Sequence, residues 1–215
     1  VYREKVDVIY LTLSEIELIR NVDLSAIPGL SRCRDCFIFQ LICGQRYSDL
    51  ENLRAGDFIF NLDGTVDLRI HQLKGGRTVA TVIPVADVGI EILRRYKVNE
   101  MESDAFALPV ISNQKYNEAI KEICKKALIN DLVKIVSYRG TERVEEVFKK
   151  YELISSHTAR KSLISLAAQS GISVDVISSV TGNSPAVMRN HYLAINLETK
   201  RKAMDKVWGN SKKEE

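Results

Sequence analysis

His157-Thr158-Ala159-Arg160 and the later Tyr192, within Arg189-Asn190-His191-Tyr192, are the residues of this chain best suited to chemistry. A histidine and an arginine three positions apart share one face of a helix. Such a face can present two cationic or hydrogen-bonding groups to one phosphate, and a tyrosine on a later helix can supply an oxygen nucleophile. An anion clamp with a nucleophile is a device for phosphoryl transfer. Each part also has a plainer reading. Tyr192 follows Val187 and Met188 and precedes Ala194 and Ile195, a setting that suits a packed aromatic. A phenol with a pKa near ~10 attacks phosphorus only when nearby cations stabilise its phenolate. His157 and Arg160, after Ser155-Ser156, equally fit a capping histidine and a surface arginine.

Other cations extend the set. In Gly44-Gln45-Arg46-Tyr47-Ser48-Asp49-Leu50, Gly44 ends a helix and Ser48 is placed to cap the next. Arg46 then lies near a helix N-terminus, where free N–H groups and the macrodipole favour anions. Lys74 occupies the tip Lys74-Gly75-Gly76-Arg77, where glycines permit a tight bend, and can donate a proton to a leaving oxygen. Read alone, Arg46 is a surface arginine and Lys74 a solvated turn lysine. Arg77, Lys161 and Arg189 are further candidates for contact with DNA. Lys161 points about 100° away from Arg160 and lies outside the same clamp. Thr181-Gly182-Asn183-Ser184-Pro185 is a break between helices, with Gly182 at a C-terminus and Pro185 in a first turn. It leaves Asn183 in the turn, nine residues before Tyr192.

The elements that must position these groups are mainly helical. Thr12-Leu13-Ser14-Glu15 has capping-box spacing and opens a helix to about residue 21. An apolar helix follows over 31–43, then a short one over 48–53. Residues 58–60, the turn Asp63-Gly64, residues 66–73 and the alternating Val79, Thr81 and Ile83 read as a three-stranded antiparallel meander. Helices are expected over 88–99, 113–129, 157–170, 174–180, 185–192 and 197–207. Residues 133–151 are ambiguous: 133–138 fits a strand, and 142–149 a loop or short helix. The expected fold class is α+β, mainly α with a small antiparallel sheet.

The 215 residues suffice for a sizeable core, with 45% apolar and 27% charged positions. A net charge of +3 permits a nucleic-acid partner without demanding one. No apolar run reaches membrane-span length. The start at Val1, without methionine or signal-peptide pattern, suggests a piece of a longer protein. Cys33-x-x-Cys36 has no second pair at zinc-ribbon spacing, so Cys33, Cys36, Cys43 and Cys124 are expected to be reduced core residues, in a cytoplasmic protein.

Taken in order, these signals are an arginine in a Gly-x-Arg turn, a lysine on a β-hairpin, His-x-x-Arg, a polar residue after a turn glycine, and a tyrosine nine residues later. The arrangement resembles the catalytic domain of the tyrosine recombinase (phage-type integrase) family, over nearly the whole chain. The stretch Arg46-Tyr47-Ser48-Asp49-Leu50 is similar to integrases of mobile elements in Bacteroidetes-type bacteria. The resemblance implies a DNA breaking-rejoining enzyme fold in one catalytic domain spanning 1–215, with loose ends at 1–10 and 209–215. It further implies that the family's N-terminal DNA-clamping domain is not included in these 215 residues. It also implies roles. Arg46 and Arg160 would hold the scissile phosphate of double-stranded DNA, and Tyr192 would form a 3′-phosphotyrosyl link. Lys74 would protonate the leaving 5′-hydroxyl, and His157 would move a proton or hold the phosphate. No cofactor, ATP or metal is called for. Partners would be double-stranded DNA and, in the full-length protein, further copies assembled as a dimer or tetramer on it, in the bacterial nucleoid.

One position departs from the family. Asn183 stands where a histidine, or sometimes a tryptophan, is usual; an asparagine can donate a hydrogen bond to phosphate but cannot carry a proton. The adjacent His191 points about 100° from Tyr192 and is a poor substitute. Met204, Val207 and Trp208 form an apolar edge that either packs on this domain or docks on a neighbour. The alternatives left open are a DNA-binding module of the same fold with weakened chemistry, a type IB topoisomerase-like enzyme, and a helical interaction protein whose Arg, His and Tyr are structural.

Overall fold

A computed structural model describes residues 8–74, 77–139, 142–191, 201 and 204–205. The fold is organised around α2 (Pro28–Cys43), whose Cys33, Cys36, Phe37, Ile38, Phe39, Leu41 and Cys43 are all buried. A helix apolar on most sides must be enclosed, and α1 (Leu13–Asn21), α4 (Asp87–Arg95), α5 (Asn113–Lys126) and α7 (Ser156–Gln169) pack against it. The helix starts at Pro28, earlier than expected, because a proline in the first turn loses no hydrogen bond. It stops at Gly44, which adopts φ +62° and donates its N–H to the Gln40 carbonyl at 2.8 Å.

The capping box of α1 is present: Thr12 N–H donates to Glu15 Oε2 at 2.7 Å and Glu15 N–H to Thr12 Oγ1 at 3.3 Å. Glu15 also pairs with Lys150 at 2.6 Å. Just before α1, the N–H of buried Leu11 donates to Ser162 Oγ at 2.8 Å, which pins this segment to α7. The Asp35 carboxylate ties α2 to the end of α4, accepting from Arg95 Nη1 at 2.7 Å and from the Tyr96 hydroxyl at 3.1 Å.

β1 (Phe58–Phe60), β2 (Val66–Lys74) and β3 (Arg77–Pro84) form the expected antiparallel meander, in the order β1-β2-β3. Phe58, Leu68 and Ile83 pair across the three strands and are buried together. The opposite phase of each strand faces away from them, as period-two alternation requires.

Residues 133–138 form the strand they fit, whereas 142–149 are a strand and not the expected loop or short helix. They form a second antiparallel pair, β4 (Leu132–Arg139) with β5 (Glu142–Lys149). Val144, Val147 and Phe148, spaced three and four apart among charges, imitate a helical stripe. Pairing with β4 overrides that pattern: Val133 stands opposite Phe148, and Glu145 forms ion pairs with Lys134 and Arg143. Two expected helices are also shorter. α4 ends at Arg95, before Lys97 at φ 55°, and α5 ends at Lys126, before Leu128 at φ 59°. A left-handed residue cannot continue a right-handed helix. The remaining helices are α3 (Tyr47–Glu51), α6 (Lys150–Leu153), α8 (Val174–Thr181) and α9 (Pro185–His191).

Among the described residues no helix is long and apolar enough to cross a membrane. The four cysteines are free and buried. Burial pushes the thiols of Cys36, Cys43 and Cys124 up to about 12. Residues 192–200 and the pair Val207 and Trp208 lie outside the described residues; Met204 is exposed.

Gly44 provides a test of this frame. A Cβ there would stand 2.5 Å from Leu163 Cδ2, on a backbone that L residues rarely adopt. Gly44→Ala is expected to lower unfolding stability by about 1–2 kcal/mol from the left-handed backbone alone, measured by urea denaturation. Gly29→Ala, where a Cβ meets nothing within 4 Å, serves as the control.

Candidate functional site

Arg46 stands at the N-cap of α3 with extended backbone, so this helix begins at Tyr47 and Ser48 is not its cap. The cap is closed from inside the helix, by Asp49 Oδ2 accepting the Arg46 N–H at 3.2 Å. Two buried glutamines hold the turn that presents Arg46. Gln40 Nε2 donates to the Gln45 carbonyl at 3.1 Å, and Gln45 Nε2 donates to the Cys43 carbonyl at 2.8 Å. The Gln40 carboxamide oxygen in turn accepts from the Tyr116 hydroxyl at 3.2 Å. Arg46 itself remains exposed.

Ser155 is the N-cap of α7, and its N–H donates to Thr158 Oγ1 at 3.0 Å. The next N–H, of Ser156, donates to Asn117 Oδ1 on α5 at 2.7 Å. The helix carries His157 at the surface and Arg160 beneath it. Arg160 is only 1% exposed, which excludes a surface arginine. Its Nη1 donates to the Thr181 carbonyl and, at 2.7 Å, to Asn183 Oδ1. Asp49 Oδ2 lies 3.8 Å from Nη2, wider than a hydrogen bond. Asp49 therefore faces both arginines, through the backbone of Arg46 and the side chain of Arg160.

α8 brings the third segment. It ends at Gly182 with φ +71°, and the chain turns Asn183 back against Arg160. The turn is locked by Ser178 Oγ, which donates to the Asn183 carbonyl at 2.6 Å. Asn183 is 6% exposed. With its side-chain oxygen engaged by Arg160, its Nδ2 is buried and has no acceptor among the described residues. A buried donor without an acceptor is rare in native proteins and calls for an explanation such as an absent ligand.

The structure thus brings together Arg46, His157, Arg160 and Asn183, from α3, α7 and the α8–α9 turn. Arg160 is the floor, and Arg46 and His157 form the rim. Lys161 sits one turn beyond His157, where its charge also bears on that imidazole. Lys74 ends β2, with its Cα paired to that of Arg77, and β3 packs against α8. The side chains of Lys74, Arg77 and Arg189, and all of Tyr192, lie outside the described residues. A hollow of about 430 Å³ beside α3, lined by Tyr47, Glu51, Asn52 and Phe106 among others, contains none of the candidate side chains.

Sequence reading passed over Asp49, Gln40, Gln45, Tyr116, Asn117 and Thr181. Gln40 carried a usable signal, as a carboxamide inside an apolar helix needs partners once buried. Thr181 carried none, because it contributes its backbone carbonyl.

No protein-family model matches the chain, and no curated relative matches it significantly. Its fold is nevertheless that of tyrosine recombinase catalytic domains. It is similar to the XerH site-specific recombinase bound to difH substrate in a pre-cleavage complex, with 16% identity, a TM-score of 0.61, and coverage of 97% of this chain and 56% of that one. For the XerA recombinase the figures are 17%, 0.60, 93% and 65%. For the Tn1549 transposon integrase in complex with transposon right end DNA they are 16%, 0.59, 97% and 68%. The chain therefore spans less than two thirds of the length of the first two structures.

The His157 pKa lies below its ordinary value, first because of desolvation and then because of the positive charges of Lys161, Arg160 and Arg46. Both causes favour the neutral imidazole. The unfolded chain takes up this proton near ~6.5 and the folded chain only at lower pH. The associated stability is present above about 6.5 and is lost as pH falls through the folded value. NMR titration is expected to give a His157 midpoint below 6.5, and His157→Asn should remove that part of the acid destabilisation in pH-dependent unfolding.

Proposed function

We propose that this chain is the catalytic domain of a site-specific DNA recombinase or integrase that cleaves and rejoins strands through Tyr192. In this reading Arg46 and Arg160 bind the nonbridging oxygens of the scissile phosphate in double-stranded DNA. They stabilise the charge added in the pentacoordinate transition state. The Tyr192 oxygen attacks phosphorus, its proton passing to His157 or to water. The bond from phosphorus to the 5′-oxygen breaks, and Lys74 gives that departing oxygen a proton, leaving a free 5′-hydroxyl. A 3′-phosphotyrosyl ester remains. Attack by another strand's 5′-hydroxyl reverses these steps and releases the tyrosine. The ester preserves the energy of the phosphodiester, so the scheme calls on neither ATP nor metal.

The observation that carries the reading is the convergence of Arg46, His157, Arg160 and Asn183 on one spot, supported by the recombinase fold. Neutral His157 suits proton acceptance, and the spare Nδ2 of Asn183 suits a phosphate oxygen. Assembly into a dimer or tetramer on DNA, and a further clamping domain elsewhere in the full-length protein, belong to the same proposal. The clustering of Arg46, His157 and Arg160 also weighs against a helical interaction protein whose Arg and His are scattered and structural.

The test is covalent trapping on a nicked suicide duplex. A protein–DNA adduct is expected, absent in Tyr192→Phe and slowed about 10²–10³-fold in Arg46→Ala or Arg160→Ala. DNA binding without any adduct would instead identify a binding module of the same fold. Relaxation of supercoiled plasmid without sequence preference would identify a topoisomerase-like enzyme. Asn183→Ala is expected to slow adduct formation about 10-fold, the scale of one lost hydrogen bond, whereas Asn183→His should retain it.

A further inference from the structure

Two adjacent residues of α5 reach the two separate halves of the site. The Tyr116 hydroxyl donates to Gln40, and Gln40 donates to the carbonyl of Gln45, the residue before Arg46. The ring of Tyr116 also packs against Tyr47, the residue after Arg46, with centroids 5.7 Å apart. Arg46 is thus gripped through both of its chain neighbours. Asn117 reaches the other half. Its Nδ2 donates to the carbonyl and side-chain oxygens of Asn113, at 2.8 and 2.7 Å, which fixes the amide plane. Its Oδ1 is then aimed at the Ser156 N–H, immediately before His157 and within the turn that leads to Arg160.

We propose that Tyr116 and Asn117 are positioning residues that together set the distance between the Arg46 turn and the first turn of α7. Neither touches the spot where Arg46, His157 and Arg160 meet. Consecutive helical side chains diverge by about 100°, so one step along α5 spans both targets. The strut is stiff because the inner face of α5 is anchored by Ile120, Ile123 and Cys124, all fully buried. Burial alone does not account for it. A phenylalanine would fill the Tyr116 site without the hydroxyl, and the Ser156 N–H, one of the free donors at a helix start, can be satisfied by water. Two arginines serve one anion only when their spacing matches it, and small misplacements cost rate steeply.

The inference rests on the phosphate-site reading, so its test has one readout that needs no chemistry. Tyr116→Phe, Asn117→Ala and Asn117→Asp are compared with the parent chain on the suicide duplex at saturating DNA, and Tyr116→Phe is combined with Arg46→Ala. Tyr116→Phe and Asn117→Ala are each expected to slow adduct formation roughly 10- to 100-fold. Asn117→Asp, which keeps an acceptor for Ser156 but loses the donor to Asn113, should restore only part of the rate. Tyr116→Phe should cost nothing further once Arg46 is gone. In Asn117→Ala the NMR midpoint of His157 should rise toward ~6.5, as the first turn of α7 relaxes away from the cations around it. Unchanged rates, independent effects of Tyr116→Phe and Arg46→Ala, or an unmoved His157 midpoint would overturn the proposal. If the parent chain forms no adduct, the Tyr192 reading fails, and the His157 midpoint alone decides the positioning role.

Discussion

A guanidinium does not lose its charge on burial, so a folded chain that encloses one must surround it with acceptors. Arg160 imposes this constraint here. Its hydrogen bonds to the Thr181 carbonyl and Asn183 require α8 to end where it does, and Gly182 makes the turn back possible. The same requirement brings Asp49, and with it α3, to the edge of the guanidinium. Three segments far apart in the chain are thereby drawn to one cation. The acceptors at Nη1 are neutral oxygens, which satisfy hydrogen bonds without cancelling charge. The nearest carboxylate, Asp49, stands back at 3.8 Å from Nη2.

The apolar core supplies the frame against which this cluster is held. α2 packs against α1, α4, α5 and α7, and its last turn leads directly into the Arg46 turn. Gln40 places a carboxamide in the buried C-terminal half of that helix. It is fully buried and satisfied at both ends, by Tyr116 and by the Gln45 carbonyl. A half-satisfied carboxamide there would be worse than a leucine, so the network is specific to this turn geometry.

Much of the frame was legible in residue order. The capping box at Thr12, the stop at Gly44, the Asp63-Gly64 turn and the break at Gly182 are local signals, and the structure follows them. The candidate residues Arg46, His157, Arg160 and Asn183 were legible as types in order, and the structure adds their proximity. What could not be read was whatever depends on a distant partner. The β4–β5 pair has a helix-like apolar spacing that only strand pairing overrules. Asp49 reads as an ordinary first-turn acid until Arg160 arrives beside it. The burial of Arg160 was likewise invisible, because arginines at helix starts are usually solvated and this one is covered by α8, which lies further along the chain.

The chain also carries its own reporters of opening. Three of its four cysteines, Cys33, Cys36 and Cys43, lie on α2, enclosed by the helices that pack around it. Alkylating reagents attack the thiolate, and these thiols are both covered and held protonated. Modification thus has to wait for α2 to lose its neighbours. The labelling rate of Cys43, one residue before the Gly44 turn, becomes a clock for how often the ground beneath Arg46 gives way.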